Sequence, residues 1–195
     1  RRQRQMCIRD RYGRARATNG KIALILGGGI DSERRKAAAQ KEKPRIDVLE
    51  MEQVHHAELY DYQWFSDRAE REPATRLLHA LARRFGHWSE FLTLRAVWSL
   101  RDTDVVYATG EDVGFPLGAL LRILRMKKPR VVLRMEQPAF GSTLRRRKLY
   151  RSFLRFAVPR IAAILCRTEA HVAYLQQNAD VSNCLLYTSP SPRDR

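Results

Sequence analysis

Five short strand-like runs, four of them followed by a loop and then by residues of helical period, constrain this chain more than any other feature. Ile22-Ala23-Leu24-Ile25-Leu26 is continuously apolar and stops at Gly27-Gly28-Gly29. A run apolar on both faces belongs in a sheet covered on both sides. Asp104-Val105-Val106-Tyr107-Ala108, Arg130 to Met135 and Ile161 to Cys166 repeat the theme, and Arg45 to Met51 reads as a half-exposed strand. Alternating strands and helices predict an α/β domain, a Rossmann-like doubly wound parallel sheet whose ligands sit beyond the carboxyl ends of the strands.

Between the strands, helical spacing is expected over Asp31 to Lys43 and from Pro73, with Leu77, Leu78, Leu81, Ala82 and Phe85 on one face. Phe91, Leu94, Val97 and Trp98 continue that spacing to Asp102. Further helices are expected at Pro116 to Met126, Leu144 to Ala157 and Thr168 to Gln177, and Gly110 to Gly114 reads as an exit loop. Pro73 suits a first helical turn, because its missing N–H is not needed there. Residues 52 to 72 carry no clear period and read as a loop with partial helix. No stretch approaches the roughly 20 apolar residues of a membrane-spanning helix.

The two ends are expected to lie outside the domain. Residues 1–16 and 181–195 resemble translated sequencing-adapter read-through, or else a disordered basic arm and a Ser/Pro-rich tail, which leaves 17–180 as the folded unit. The net charge of +16 is inflated by these ends. Without 9 of the 37 basic and 2 of the 21 acidic residues, 28 stand against 19, a balance of +9. Such a charge points to anionic partners and says little about fold. Of the three cysteines only Cys166 lies in the domain, on an apolar run, where a buried small hydrophobe is expected. A reducing compartment fits.

Several loops carry chemistry-bearing residues. Gly27, Gly28 and Gly29 allow a sharp turn near an anion, although the third glycine of the dinucleotide fingerprint is missing and Ile30-Asp31-Ser32-Glu33 follows. A purely structural turn explains them about as well. Glu111, Glu136 and Gln137 leave two other strands and can orient hydroxyls, while Thr168 suits a helix N-cap and Glu169 the helix dipole. His55, His56, His79, His87 and His171 lack metal-ligand spacing and read as surface or satisfied residues, so no metal is expected.

The helix over Leu144 to Ala157 is strongly basic. Arg145, Arg146, Arg147, Lys148, Arg151 and Arg155 have no acid among them, and Leu144, Leu149, Phe153, Leu154, Phe156 and Ala157 supply an apolar side. Basic residues interleaved with aromatics suit an anionic membrane surface, and a solvated helix face is the plainer alternative. Arg122, Arg125, Lys127, Lys128 and Arg130 form a second cluster. No zinc-finger, RNP-like or helix-turn-helix pattern accompanies them, so nucleic acid is not an expected partner.

Asp104 to Ala108, Gly114-Phe115-Pro116-Leu117, Arg130 to Met135, Arg145 to Tyr150 and Ala163 to Leu175 together resemble the amino-terminal domain of family 4 glycosyltransferases, which have the GT-B fold. The likeness is good from about Thr103 to Gln177 and looser from Lys21 to Met51. It implies one half of a retaining enzyme that moves a sugar from a nucleotide-diphosphate donor to an acceptor, without an essential metal or other cofactor. By position, Gly27, Gly28 and Gly29 would face the donor phosphates, and Glu111, Glu136, Gln137 and Thr168 would lie on the acceptor side. A histidine often ends the strand matching Arg130 to Met135, whereas this chain has Glu136-Gln137, and glutamine cannot shuttle a proton.

The implied parent works at the cytoplasmic face of a membrane, as a peripheral protein, on a glycan or lipid-linked acceptor. The donor-binding half is missing from this sequence, so the chain alone is expected to be inactive. Two other classes compete: another Rossmann-like nucleotide-dependent enzyme, an oxidoreductase or methyltransferase, and a non-enzymatic module that binds anionic surfaces.

Overall fold

The computed structural model describes residues 20–27, 56–135, 148–166, 168–179 and 184–186. Its frame is a six-stranded, all-parallel sheet built from β1 (Ile22–Leu26), β2 (Glu58–Tyr60), β3 (Val105–Thr109), β4 (Arg130–Arg134), β5 (Ile161–Cys166) and β6 (Cys184–Leu186), in the order β2-β1-β3-β4-β5-β6. Six helices accompany it among the described residues: α1 (Tyr62–Arg71), α2 (Pro73–Phe85), α3 (Trp88–Ser99), α4 (Glu111–Ile123), α5 (Lys148–Ala157) and α6 (Glu169–Ala179). The protein is therefore an α/β domain of the Rossmann-like doubly wound class. No helix among the described residues is long and apolar enough to cross a membrane.

Strand alternation divides the sheet into two faces. Ala23, Ile25, Val106, Ala108, Val131, Leu133 and Ile164 join one large core with the buried residues of all six helices. Leu24 and Leu26 belong to a second cluster with Ile22, Leu59, Tyr107 and Ala57. Phe65, Leu92, Leu117, Leu121 and Leu154 are fully buried on the first face. Each such side chain stabilises the fold by about 1.5–3 kcal/mol relative to exposure.

Residues 52 to 72, expected as a loop with partial helix, hold the helix α1 and also the strand β2, which was not expected. A three-residue strand is too short to show a period. Helix α1 is set by its cap: the Asp61 carboxylate accepts from the Trp64 N–H at 2.9 Å, and Phe65 and Ala69 then fall four apart on the buried side. A second difference concerns α2. Leu77 and Phe85, expected in the core, are 63% and 61% exposed, while Thr75 and Ala82 are buried and Leu78 packs at the core edge. Adjacent residues lie about 100° apart around a helix, so choosing the Leu78 side for the core turns Leu77 outward.

The expected loop at Gly110 to Gly114 is also corrected. Gly110 makes the whole turn at φ 89, and α4 starts at the next residue. Gly114 and Gly118 then lie on the helix at four-residue spacing. A Cβ at Gly114 would stand 2.3 Å from Leu133 Cδ1, and one at Gly118 would stand 2.8 Å from the Ala157 carbonyl. Two missing side chains let α4 rest directly on β4 and α5. The strand expected at Arg45 to Met51 and the helix at Asp31 to Lys43 lie outside the described residues, as do residues 1–16. Cys184–Leu186, in the tail set apart from the domain, pairs in parallel with β5.

Between α1 and α2, Glu72 gathers four donated hydrogen bonds. Oε2 accepts from Thr75 Oγ1 at 2.7 Å and from Arg95 Nε and Nη2 at 3.0 and 2.7 Å, and Oε1 accepts from Arg68 Nη1 at 2.5 Å. The Thr75 bond first, then those from Arg95 and Arg68, hold the carboxyl at about 2, below the usual carboxylate range. A depressed native pKa contributes stability that is complete above the unfolded value and lost as pH falls through the folded one. Urea titrations of Glu72→Gln should show a deficit against the parent at pH 7 that shrinks between about pH 4.5 and 2. A deficit independent of pH would remove the carboxylate from this role.

Candidate functional site

The chain leaves β1 toward β2 on one side and returns to β3 on the other, so β1 and β3 flank the switch point of the sheet. Ligands of open parallel sheets bind in the crevice at that point, beyond the carboxyl ends of the strands. Here Gly27 ends β1, and its N–H donates to the Thr109 carbonyl at the end of β3 at 3.3 Å. A Cβ at Gly27 would lie 3.0 Å from Asp112 Oδ1 and 3.0 Å from Val113 Cγ2, so a side chain there would require one of these neighbours to shift by a few tenths of an ångström. The glycine at this position is held by close approach to a carboxylate.

Asp112 organises the rim. Its Oδ2 accepts a short hydrogen bond from Ser89 Oγ, and Ser89 Oγ also lies 2.8 Å from the Tyr62 hydroxyl. Tyr62 stands on α1, Ser89 on α3 and Asp112 on α4, so three helices converge on one polar chain beside Gly27. Glu111, the first residue of α4, is buried at the same strand end. Thr109 is buried too, and its hydroxyl oxygen has no hydrogen-bond partner among the described residues. The rim is acidic and hydroxyl-rich. Carboxylates accept hydrogen bonds and suit donors such as sugar hydroxyls, whereas they repel phosphate oxygens at a helix amino terminus.

Farther along the rim, Tyr60 closes β2. Its hydroxyl donates to Glu58 Oε2 at 2.6 Å, and burial, with that bond, pushes the phenol well above its ordinary value. It stays protonated.

The other expected site residues are placed unevenly. Gly28, Gly29, Glu136, Gln137, Arg145, Arg146 and Arg147 lie outside the described residues. Thr168 caps α6 as anticipated, its hydroxyl accepting from the His171 N–H at 3.3 Å. Lys148, Arg151 and Arg155 are all exposed on α5. Cys166 is buried, its thiol sulfur 3.9 Å from Met135 Sδ. His79 lies 3.3 Å from Ser66 Oγ and packs between the rings of Phe65 and Trp88, and exposed His87 lies 3.3 Å from Glu90. Among the described residues no three His, Cys, Asp or Glu side chains group to hold a metal.

Sequence reasoning missed Tyr62 and Ser89. Neither carries a motif, and only the fold brings them to Asp112. Comparison with family models, curated proteins and solved structures finds no match to this chain.

Proposed function

We propose that this domain is the acceptor-side half of a retaining glycosyltransferase that uses a nucleotide-diphosphate sugar. The observation that carries the reading is the acidic, hydroxyl-rich crevice at the β1/β3 switch point, where Gly27 backs onto Asp112. Carboxylates there are suited to orienting the hydroxyl of an incoming acceptor and to helping withdraw its proton. The family resemblance of the strand and helix segments adds the donor class, a nucleotide sugar, which a second domain of the parent enzyme would bind. The glycine turn then approaches the donor with its backbone, while Asp112 and Glu111 serve the acceptor. The surface of α5 supplies the link to a membrane or to a lipid-linked acceptor.

The experiment joins this domain to a donor half. In the reading frame of an uninterrupted parent, Asp112→Asn should lower kcat for sugar transfer by at least about a hundredfold, within the usual range for a general base. Donor hydrolysis in the absence of acceptor should change far less. Sugar turnover at ordinary enzyme rates by the 195-residue chain alone would overturn the two-half reading.

A further inference from the structure

The cleft that most invites a charged ligand lies at the opposite end of the sheet from the switch point. Lys127, Pro129 and Arg130 lead into β4, Pro159 and Arg160 lead into β5, and Val105 opens β3. Together with Val132, Ala162 and Ala163 they line a cavity of about 490 Å³ at the amino ends of these three strands. Three of its walls are cationic and none is acidic. The closest carboxylate in sequence, Asp104, is already engaged: it accepts from Lys128 Nζ at 2.5 Å and from the Lys21 N–H at 3.2 Å.

Arg160 is the anchored member of the three. One of its terminal nitrogens donates to the Met126 carbonyl, which fixes the guanidinium against the end of the α4–β4 connection. Its Nε is closed off from solvent and has no acceptor among the described residues. The residue forms no ion pair with a described carboxylate, so a held, half-buried positive charge stands at the wall of an open cleft. Lys127 and Arg130 are exposed at its mouth. A planar guanidinium held in place and two freer cations around an apolar floor match the geometry of a phosphate with several ionised oxygens.

We propose that this cleft is a binding site for a phosphate-class anion, either a free phosphate ester or the phosphate of a lipid headgroup. It is separate from the switch-point crevice and does not depend on sugar transfer. The apolar floor of Val105, Val132 and Ala163 gives room for the body that carries the phosphate.

The test titrates the full chain with inorganic pyrophosphate by calorimetry at low salt, beside Lys127→Gln, Arg130→Gln and the double variant. Both altered side chains are exposed, so folding is spared, and circular dichroism verifies this. Saturable binding that weakens about ten- to hundredfold in each single variant, the loss of one charge-assisted contact, is the expected result. Arg84→Gln, exposed on α2 and outside the cleft, should bind as the parent does. Vesicles containing phosphatidic acid form the second arm: their displacement by pyrophosphate, lost in the double variant, assigns the site to a headgroup. Pyrophosphate binding without such displacement assigns it to a free ester. Absence of saturable binding, or equal binding by parent and double variant, overturns the proposal.

Discussion

Gly114→Ala and Gly118→Ala are each expected to destabilise the protein by about 1–3 kcal/mol, against the ordinary helix trend, because both overfill a closed contact. In an open helix the same change stabilises by roughly 0.5–1 kcal/mol, so the sign alone separates the two accounts. At Gly118 the new methyl meets the Ala157 carbonyl, a backbone group that cannot rotate away. At Gly114 it meets Leu133, which is fully buried. The midpoint of thermal unfolding should fall by roughly 2–12 °C for each variant, given the usual dependence for a chain of this size. Leu133→Ala removes the obstruction at Gly114 and leaves a cavity of its own. The pair Gly114→Ala with Leu133→Ala should then cost less than the two single changes added together, whereas Gly118→Ala with Leu133→Ala should be closer to additive. Midpoints unchanged or raised in both alanine variants would show that α4 does not rest on its glycines.

The same helix shows how far the sequence could be read. The apolar runs at Ile22 to Leu26, Val105 to Ala108 and Ile161 to Cys166 announced strands: the first is buried along nearly its whole length, while the other two alternate between buried and partly exposed positions yet keep apolar residues on both faces. Gly110 to Gly114 was legible as a region of glycines but not as the start of a helix. One residue at φ 89 suffices for the turn, and the second glycine serves packing against β4, a need that local sequence cannot express. Leu77 and Leu78 pose a similar problem: the pattern marks an apolar side broader than the one the core accepts. At the crevice, the acids after β3 were readable as strand-end carboxylates. Ser89, the partner of Asp112, was not, since 23 residues separate the two and only the packing of α3 beside α4 closes that distance.

On the proposed membrane-facing role of α5, Lys148→Gln combined with Arg151→Gln and Arg155→Gln should weaken binding to vesicles rich in phosphatidylserine more than a hundredfold. Each basic residue near such a surface contributes about 1 kcal/mol, and three together exceed two factors of ten. The structure gives this expectation an apolar complement. Leu149 and Phe156, counted with the apolar side of the helix in the sequence, are 81% and 38% exposed. The core takes Leu154 and Ala157 and leaves those two outside. Ile123 at the end of α4 is 63% exposed as well. Arg122 ties the two helices together, donating to the Phe156 carbonyl at 2.8 Å with its guanidinium 4.6 Å over the Phe156 ring. The exposed side of α5 thus presents cations around apolar tips, the arrangement of an interfacial helix. Leu149→Ser with Phe156→Ser should also reduce binding, but with little change in its salt dependence, because charge attraction is left intact. The charge variant should lose its salt dependence along with its affinity. Cosedimentation at 0.05 and 0.5 M salt measures both, and equal binding by the triple variant and the parent would assign α5 to a solvated face.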